Sequence, residues 1–202
     1  MRQIRIIEHI SLDGVIQAPG GPNEDGDYPY GGWIVPFADP LGRDAILAAH
    51  GDRFDLLLGR RTYDIWADYW PKISGNTFAD TFNAATKYVA THRPESLAWG
   101  PAQALGEDVV NGVRAIKSLD GPNLILWGSS TLAPVLLGAD LVDEVVLLVY
   151  PVLLGVGKRL FSGNIPARAL ELLSTKATAS GVVISRYRPR GTLRTGVFVG
   201  QP

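Results

Sequence analysis

Twice in this chain an apolar run reaches a glycine and passes straight into a stretch with helical spacing. The two stretches are "DLLLGRRTYDIW" (55–66) and "NLILWGSSTLAPVLLG" (123–138). Short runs without polar interruption are buried on both faces, so they belong in a parallel sheet covered by helices on either side. The rest of the chain keeps the same rhythm. "IRIIEHIS" (4–11) reads as a first strand with a turn near Asp13-Gly14, and "DPLGRDAILAAHGDRF" (39–54) as a helix. "FADTFNAA" (78–85) and "EDVVNGVRAIKSL" (107–119) have helical spacing, and "KYVATHR" (87–93) reads as a strand. After Leu141 the pattern changes to consecutive strands, "VDEVVLLVYPVLLG" (142–155), "ALELLSTKAT" (169–178) and "GVVISRYRP" (181–189). Alternating β and α units followed by strands alone predict an α/β fold, its sheet parallel at the heart and antiparallel at one side.

A chain of 202 residues with 46% hydrophobic content fills one core. We expect a single domain over residues 1–190 and an arm or tail over 191–202, where the sequence turns polar and Gly-rich around a small apolar patch. A net charge of −1 gives no general attraction to nucleic acid or to an anionic membrane. The chain opens without a basic-then-apolar leader, has no apolar run of spanning length and contains no cysteine, so a cytoplasmic location is expected. Its three histidines, His9, His50 and His92, lack metal-ligand spacing, and no metal site is expected. "VVLLVYPVLLGVGKRLF" (145–161) ends in Gly-x-Gly-Lys, yet a phosphate loop needs glycine where Val152 stands and serine or threonine where Arg159 stands. A Gly-x-Ser-x-Gly elbow is also missing, which lowers a hydrolase reading.

The two strand-glycine-helix junctions are the main candidates for binding. A helix start presents unpaired N–H groups at the carboxyl ends of parallel strands, and a pair of such sites suits a dinucleotide. Arg60 and Arg61 add fixed charge at the first junction, suited to bidentate capture of a phosphate. Equally, Gly59 and Gly128 serve as caps of tight turns, with Ser129 or Ser130 as an ordinary helix cap. The breaker-rich stretch from Ala18 to Trp33 has the length of a functional loop, and Asp13, Asp39 and Asp44 flank it as candidates to hold a proton or as turn residues. Trp33, Trp66, Trp70 and Tyr30 suit an aromatic pocket, although Trp66 and Trp70 also fit the packing of one helix.

"SLDGVI" (11–16), "LLLGRRTYD" (56–64), "KYVATHRP" (87–94), "WGSSTL" (127–132) and "LVDEVVLLVYPVLLGVGKRLF" (141–161) together resemble the dihydrofolate reductase-like family. The resemblance is to its branch related to the C-terminal reductase domain of the bifunctional riboflavin-biosynthesis protein. It implies a three-layer α/β/α fold and an NADPH-dependent oxidoreductase that passes hydride to a small heterocycle, of the 5-amino-6-(5-phosphoribosylamino)uracil reductase type, in a homodimer. By the same resemblance Gly59, Arg60, Arg61 and Thr62 bind the adenosine-side phosphates, with Thr91, His92 and Arg93 near the adenosine. Gly128, Ser129, Ser130, Thr131 and Leu132 hold the pyrophosphate, and Ile16 and Gln17 lie near the nicotinamide. Trp33, Gly155 and Gly157 wall the substrate cleft, and Asp13 or Asp44 orients substrate or passes a proton. Two departures stand out: Gly128-Ser129 replaces the Gly-Gly pair of dihydrofolate reductases, and the count from Trp33 to their helix carboxylate arrives at Ala38, one short of Asp39. A non-catalytic nucleotide-binding module with this fold is the alternative, and its mark would be a nicotinamide end filled by Trp127 or Trp33.

Overall fold

The computed structural model describes residues 1–162 and 165–198. Its strands are β1 (Ile4–Ser11), β2 (Phe54–Gly59), β3 (Lys87–Ala90), β4 (Ala102–Ala104), β5 (Asn123–Trp127), β6 (Glu144–Tyr150), β7 (Arg168–Ala177) and β8 (Val183–Thr192). They form one sheet in the order β4-β3-β2-β5-β1-β6-β8-β7. All pairs from β4 to β6 are parallel, and β6-β8 and β8-β7 are antiparallel. The helices are α1 (Pro40–His50), α2 (Arg60–Tyr69), α3 (Thr77–Ala84), α4 (Val109–Ser118) and α5 (Leu132–Gly138).

Side-chain alternation divides the core between two faces. Ile4, Ile6 and Ile10 of β1 pack with Leu57, Leu126, Val113 of α4 and Leu136 of α5. On the other face Ile7, Leu56, Leu58 and Trp127 pack with Ala49 of α1, Tyr63 of α2 and Phe82 of α3. Helices therefore cover both sides, giving the three-layer α/β/α arrangement. The helix starts follow local chemistry: Asp39 accepts from Leu41 N at 2.8 Å to cap α1, and Asp108 caps α4. The chain runs outward from β1 through β4, returns to place β5 beside β1, then crosses to β6. That reversal of strand order opens a crevice at the carboxyl ends of β1, β2 and β5.

The elements differ from the sequence expectation at their ends. β6 stops at Tyr150 instead of continuing to Gly155, because Pro151 has no N–H for the ladder. Residues 152–160 instead fold back over the turn after β1, through Leu12 N to Val152 O, Ile16 N to Lys158 O and Leu160 N to Gly14 O. β3 ends at Ala90 rather than Arg93, and β4 is too short to leave a sequence signal. β8 runs to Thr192, beyond position 190, and residues 193–198 carry no regular element. The remainder of the expected tail, 199–202, lies outside the described residues.

Glu144 ties the parallel and antiparallel parts together. Buried on β6, it accepts from Arg5 Nε of β1 at 2.9 Å and from Arg186 Nε of β8 at 2.6 Å, and Arg5 also donates to Ala49 O at the end of α1. Removing the carboxylate strands two guanidinium groups on one sheet face. We predict that Glu144→Ala costs about 3 kcal/mol, seen in urea unfolding as a lower midpoint with an unchanged slope. An unchanged midpoint would show that the bridge contributes nothing.

Candidate functional site

The two glycine junctions lie against each other. A Cβ on Gly59 would come within 2.1 Å of Ser129 Oγ, and one on Gly128 within 2.9 Å of Thr62 Oγ1. Gly128 has φ +60° and Ser129 φ +64°, so Ser129 adopts the left-handed conformation at the place where a Gly-Gly pair would have its second glycine. Together the junctions form one edge of a cleft of about 740 Å³. Its polar end is made by Gly59–Thr62 and Gly128–Thr131; its apolar end by Ile34, Ile46, Trp66, Trp70, Phe82 and Trp127.

The aromatic end is held firmly. Trp127 Nε1 donates to His50 Nε2 at 3.0 Å, and burial together with the Arg5 charge lowers the His50 pKa to about 4, which keeps that nitrogen an acceptor. Trp66 lies 4.9 Å from the Phe82 ring and 5.9 Å from Trp70. Trp70 Nε1 is buried without a hydrogen-bond partner among the described residues. His9 also borders the cleft, its Nδ1 2.9 Å from Tyr150 OH. The direction of this bond follows the tautomer of the His9 ring. Burial lowers the His9 pKa to about 4 and raises that of Tyr150 to about 12, so both stay neutral.

Glu8 stands beside the junctions. Only 2% exposed, it lies on β1 at the level of the β5 terminus and borders the cleft. Its Oε2 accepts from Gly128 N at 2.7 Å and its Oε1 from His9 N at 3.2 Å, with no cation paired to it among the described residues. Burial raises its pKa to about 8, and the two backbone N–H groups offset only part of that effect. The 18–33 loop closes over the same region. Asp25, its side chain 6% exposed, accepts from Arg61 Nε at 2.7 Å and Lys158 Nζ at 2.5 Å. Burial alone would raise the Asp25 pKa; Lys158 and Arg61 more than reverse this and hold it low. Glu24 accepts from Gly20 N and Gly21 N, and burial raises its pKa.

Of the residues that the resemblance assigns to the cofactor, Ile16, Gln17, Gly59, Arg60, Arg61, Thr62, Gly128, Ser129, Ser130 and Thr131 line this cleft. Leu132 instead faces the core. Thr91, His92 and Arg93 lie outside, beyond Arg60, whose guanidinium is occupied by Asp64, Thr91 Oγ1, Arg93 O and Ser96 Oγ. The two candidate aspartates do not reach the cleft. Asp44 is exposed on α1. Asp13 is a clamp: the Ser11 hydroxyl and the N–H groups of Leu154 and Gly155 hold its pKa down to about 2, so it has no proton to give near neutrality. Trp33 is buried against Tyr150 and donates to Gln17 O at 2.8 Å, anchoring the loop. Gly155 donates to Asp13, and Gly157 leaves room for Val15 and Tyr28, so both serve the fold-back of 152–160. Asp39 is spent on its cap, so no helix carboxylate enters the cleft from that position.

Sequence reasoning missed Glu8, Asp25 and Lys158. For Glu8 a signal existed: in "IRIIEHIS" the inward face reads Ile4, Ile6, Glu8, Ile10 at period two, a carboxylate in an otherwise aliphatic row. Asp25 and Lys158 meet across 133 positions, which no local pattern reveals.

This fold is dihydrofolate reductase-like. Residues 2–184 match the RibD C-terminal domain, and the chain belongs to that family. A Bacillus subtilis (strain 168) protein, the uncharacterized YyaP, is 29% identical over 201 residues, covering 95% of this chain and 98% of its own. Three solved structures share the fold. A protein of Shewanella sp. PV-4 provisionally assigned to riboflavin biosynthesis superposes with a TM-score of 0.67 at 19% identity, covering 93% of this chain and 99% of that one. A pyrimidine reductase-like protein of Corynebacterium diphtheriae gives 0.61 at 13%, covering 94% and 92%. Dihydrofolate reductase of Enterococcus faecalis, solved with NADP(H) and RAB-propyl, gives 0.60 at 15%, covering 93% and 96%. Family and fold are thus reductase-like. Among the described residues no helix is long and apolar enough to cross a membrane.

Two predictions follow from this geometry. Gly59→Ala should cost about 1–3 kcal/mol through the clash with Ser129, and Ser129→Gly in the same chain should restore most of it, a coupling that a double-mutant cycle measures. Independent effects of the two changes would contradict the close approach. For Glu8, the folded pKa of about 8 lies above the ordinary 4.5, so the folded state holds an extra proton between these values. Stability from this group is complete below 4.5 and is lost as pH rises to about 8. Glu8→Gln removes the titration, so the variant should gain on the parent by up to ~1.4 kcal/mol per pH unit across that window. Parallel stability curves for the two proteins would refute it.

Proposed function

We propose that this protein is an NADPH-dependent reductase, of the riboflavin-biosynthesis reductase type, that delivers hydride to a small heterocycle in the cleft beside the paired glycine junctions. The observation that carries the reading is the cleft itself: a glycine-walled polar end runs into an aromatic end that is open. Of the two side chains that could fill it, Trp33 is bonded to Gln17 O and lies outside the lining, and Trp127, fixed by His50, forms a wall that leaves about 740 Å³ free. That openness favours a reductase over a non-catalytic relative of the same fold.

The residues present fit such a cofactor. Side chains at positions 59 and 128 would fill the space between the junctions, and the turn after Gly128 offers backbone N–H groups at the carboxyl end of β5. Bound there, the reduced nicotinamide supplies the hydride. Arg61 is 63% exposed and engages Asp25 through Nε alone, which leaves its terminal nitrogens for the adenosine 2′-phosphate. Arg60, tied to Asp64 and the 91–96 segment, supports the first junction instead of reaching for phosphate. Trp66, Trp70 and Phe82 provide flat apolar surface for a heterocycle, and the 18–33 loop limits water access. The Shewanella and Corynebacterium relatives support a substrate of the pyrimidine or pteridine kind. Leu170, Leu172 and Leu173 are exposed on the edge strand β7, which supports a homodimer.

The test is a titration with NADPH and with NADH, followed by nicotinamide fluorescence. The parent should prefer NADPH, and Arg61→Ala should weaken NADPH about tenfold, the worth of a partly exposed charged hydrogen bond, while leaving NADH nearly unchanged. Absence of binding by either nucleotide at millimolar concentration would end the reductase reading.

A further inference from the structure

A hydride transferred to a C=N or C=C bond leaves a negative charge on the substrate that only a proton can discharge. Asp13 is held ionised, Asp44 is remote, and Asp39 is committed to its cap. Four carboxyl groups border the cleft among the described residues: Asp25 is paired with Arg61 and Lys158, Asp68 with Lys72, and Glu24 is tied to the loop amides of Gly20 and Gly21, while Glu8 alone projects from the central strand, beside the Gly128 turn. We propose that Glu8 is the catalytic acid of this protein, passing its proton to the substrate as hydride arrives; this rests on the reductase reading above.

The placement is structural before it is electrostatic. Glu8 occupies an inward position of the central strand β1, paired in register with Leu147 of β6 on one side and beside the end of β5 on the other. A carboxylate in such a row costs several kcal/mol unless paired, and among the described residues no lysine or arginine bonds to it. The groups facing it are few: the Gly128 amide from the β5 turn, the apolar Leu147 from β6, and Glu24 from the 18–33 loop, a like charge that disfavours ionisation further. His9, next along β1, is engaged with Tyr150 on the opposite face and stays neutral. Burial first, and then the Glu24 charge, raise the Glu8 pKa to about 8 and keep its proton on near neutral pH, against the Gly128 and His9 amides, which lower it in part.

The step balances simply. Two electrons and a hydrogen leave the reduced nicotinamide for the substrate carbon, the Glu8 O–H bond breaks, and its proton joins the adjacent substrate nitrogen or carbon. Glu8 is left as carboxylate and regains a proton from solvent when product leaves. A neutral acid also suits the neighbourhood of a polyanionic dinucleotide, whose phosphates would push against a carboxylate. Binding should therefore tighten the hold of Glu8 on its proton, and near the apparent pKa it should draw protons from solution.

Three measurements on the intact protein separate the outcomes. Infrared difference spectra of the protein alone, titrated from pH 6 to about 10 across the raised pKa, should show a protonated carboxyl band disappearing in the parent and absent from Glu8→Gln, which keeps an oxygen for the Gly128 amide. Calorimetric titration with NADPH in buffers of different ionisation enthalpy should show proton uptake near pH 8 that Glu8→Gln abolishes and Glu24→Gln retains. In single turnovers with a reducible pyrimidine or pteridine, Glu8→Gln should slow reduction by roughly 10²-fold or more with NADPH affinity kept, and should lose the fall in rate above the parent's apparent pKa. A band already lost at pH 6, an uptake unchanged in Glu8→Gln, or an equal turnover rate would overturn the assignment while leaving NADPH binding intact. Failure of NADPH to bind, with the infrared titration as expected, would instead overturn the reductase reading.

Discussion

The structure turns on the close approach of two chain reversals. β2 and β5 are neighbours in the sheet, β2 ends in Gly59 and β5 is followed by Gly128, and each chain turns there toward its helix. The turns pack so tightly that Gly59 has no room for a methyl group against Ser129 Oγ, nor Gly128 against Thr62. Hydrophobic burial on both faces of the sheet forces the strands together, and the absence of two side chains lets the backbones meet. What results is a wall with polar backbone on its surface, standing beside an aromatic floor. Most of the binding geometry descends from that contact.

The second constraint is a carboxyl group that the fold does not neutralise. Other acidic residues of the interior are paired, Asp55 with Arg2, Glu144 with Arg5 and Arg186, and Asp25 with Arg61 and Lys158, while the partly buried Glu24 of the loop, like Glu8, meets only backbone N–H groups. Glu8 receives only backbone N–H groups, at a place in the central strand that also borders the cleft. Burial without a counter-charge shifts a carboxyl toward its neutral form, and such shifts concentrate where chemistry is done. The loop latch from Asp25 to Arg61 and Lys158 bears on the same region from above. Thus charge pairing secures the frame, while its local absence defines the working end.

Much of the fold was legible in the sequence because its strands are buried on both faces and read as unbroken apolar runs. β1 and the starts of α1, α2 and α5 follow from alternation, breakers and caps near their own positions. The errors lie where pairing partners decide: after Pro151 stops β6 at Tyr150 the chain folds back onto the turn after β1, and β4 exists only because β3 is beside it. Most residues of the two glycine junctions line the cleft, and such junctions carry local signatures. The residues expected on the substrate side do not line it. Asp13 looked like a free carboxylate and is a clamp for Leu154 and Gly155; Trp33 looked like a pocket wall and is a loop anchor. The Asp13 contacts span more than a hundred positions, and the Trp33 bond closes a loop without regular structure; periodicity is blind to both.

The central claim is that one cleft brings a dinucleotide across both junctions with its nicotinamide beside Glu8. A crystal structure of the complex with NADP⁺ tests this most directly. The account predicts the 2′-phosphate at Arg61, the pyrophosphate on the turn after Gly128, and the nicotinamide ring between the Glu8 carboxyl and the Trp127 side of the aromatic floor. A dinucleotide bound elsewhere, or one whose nicotinamide points away from Glu8 into solvent, would contradict it.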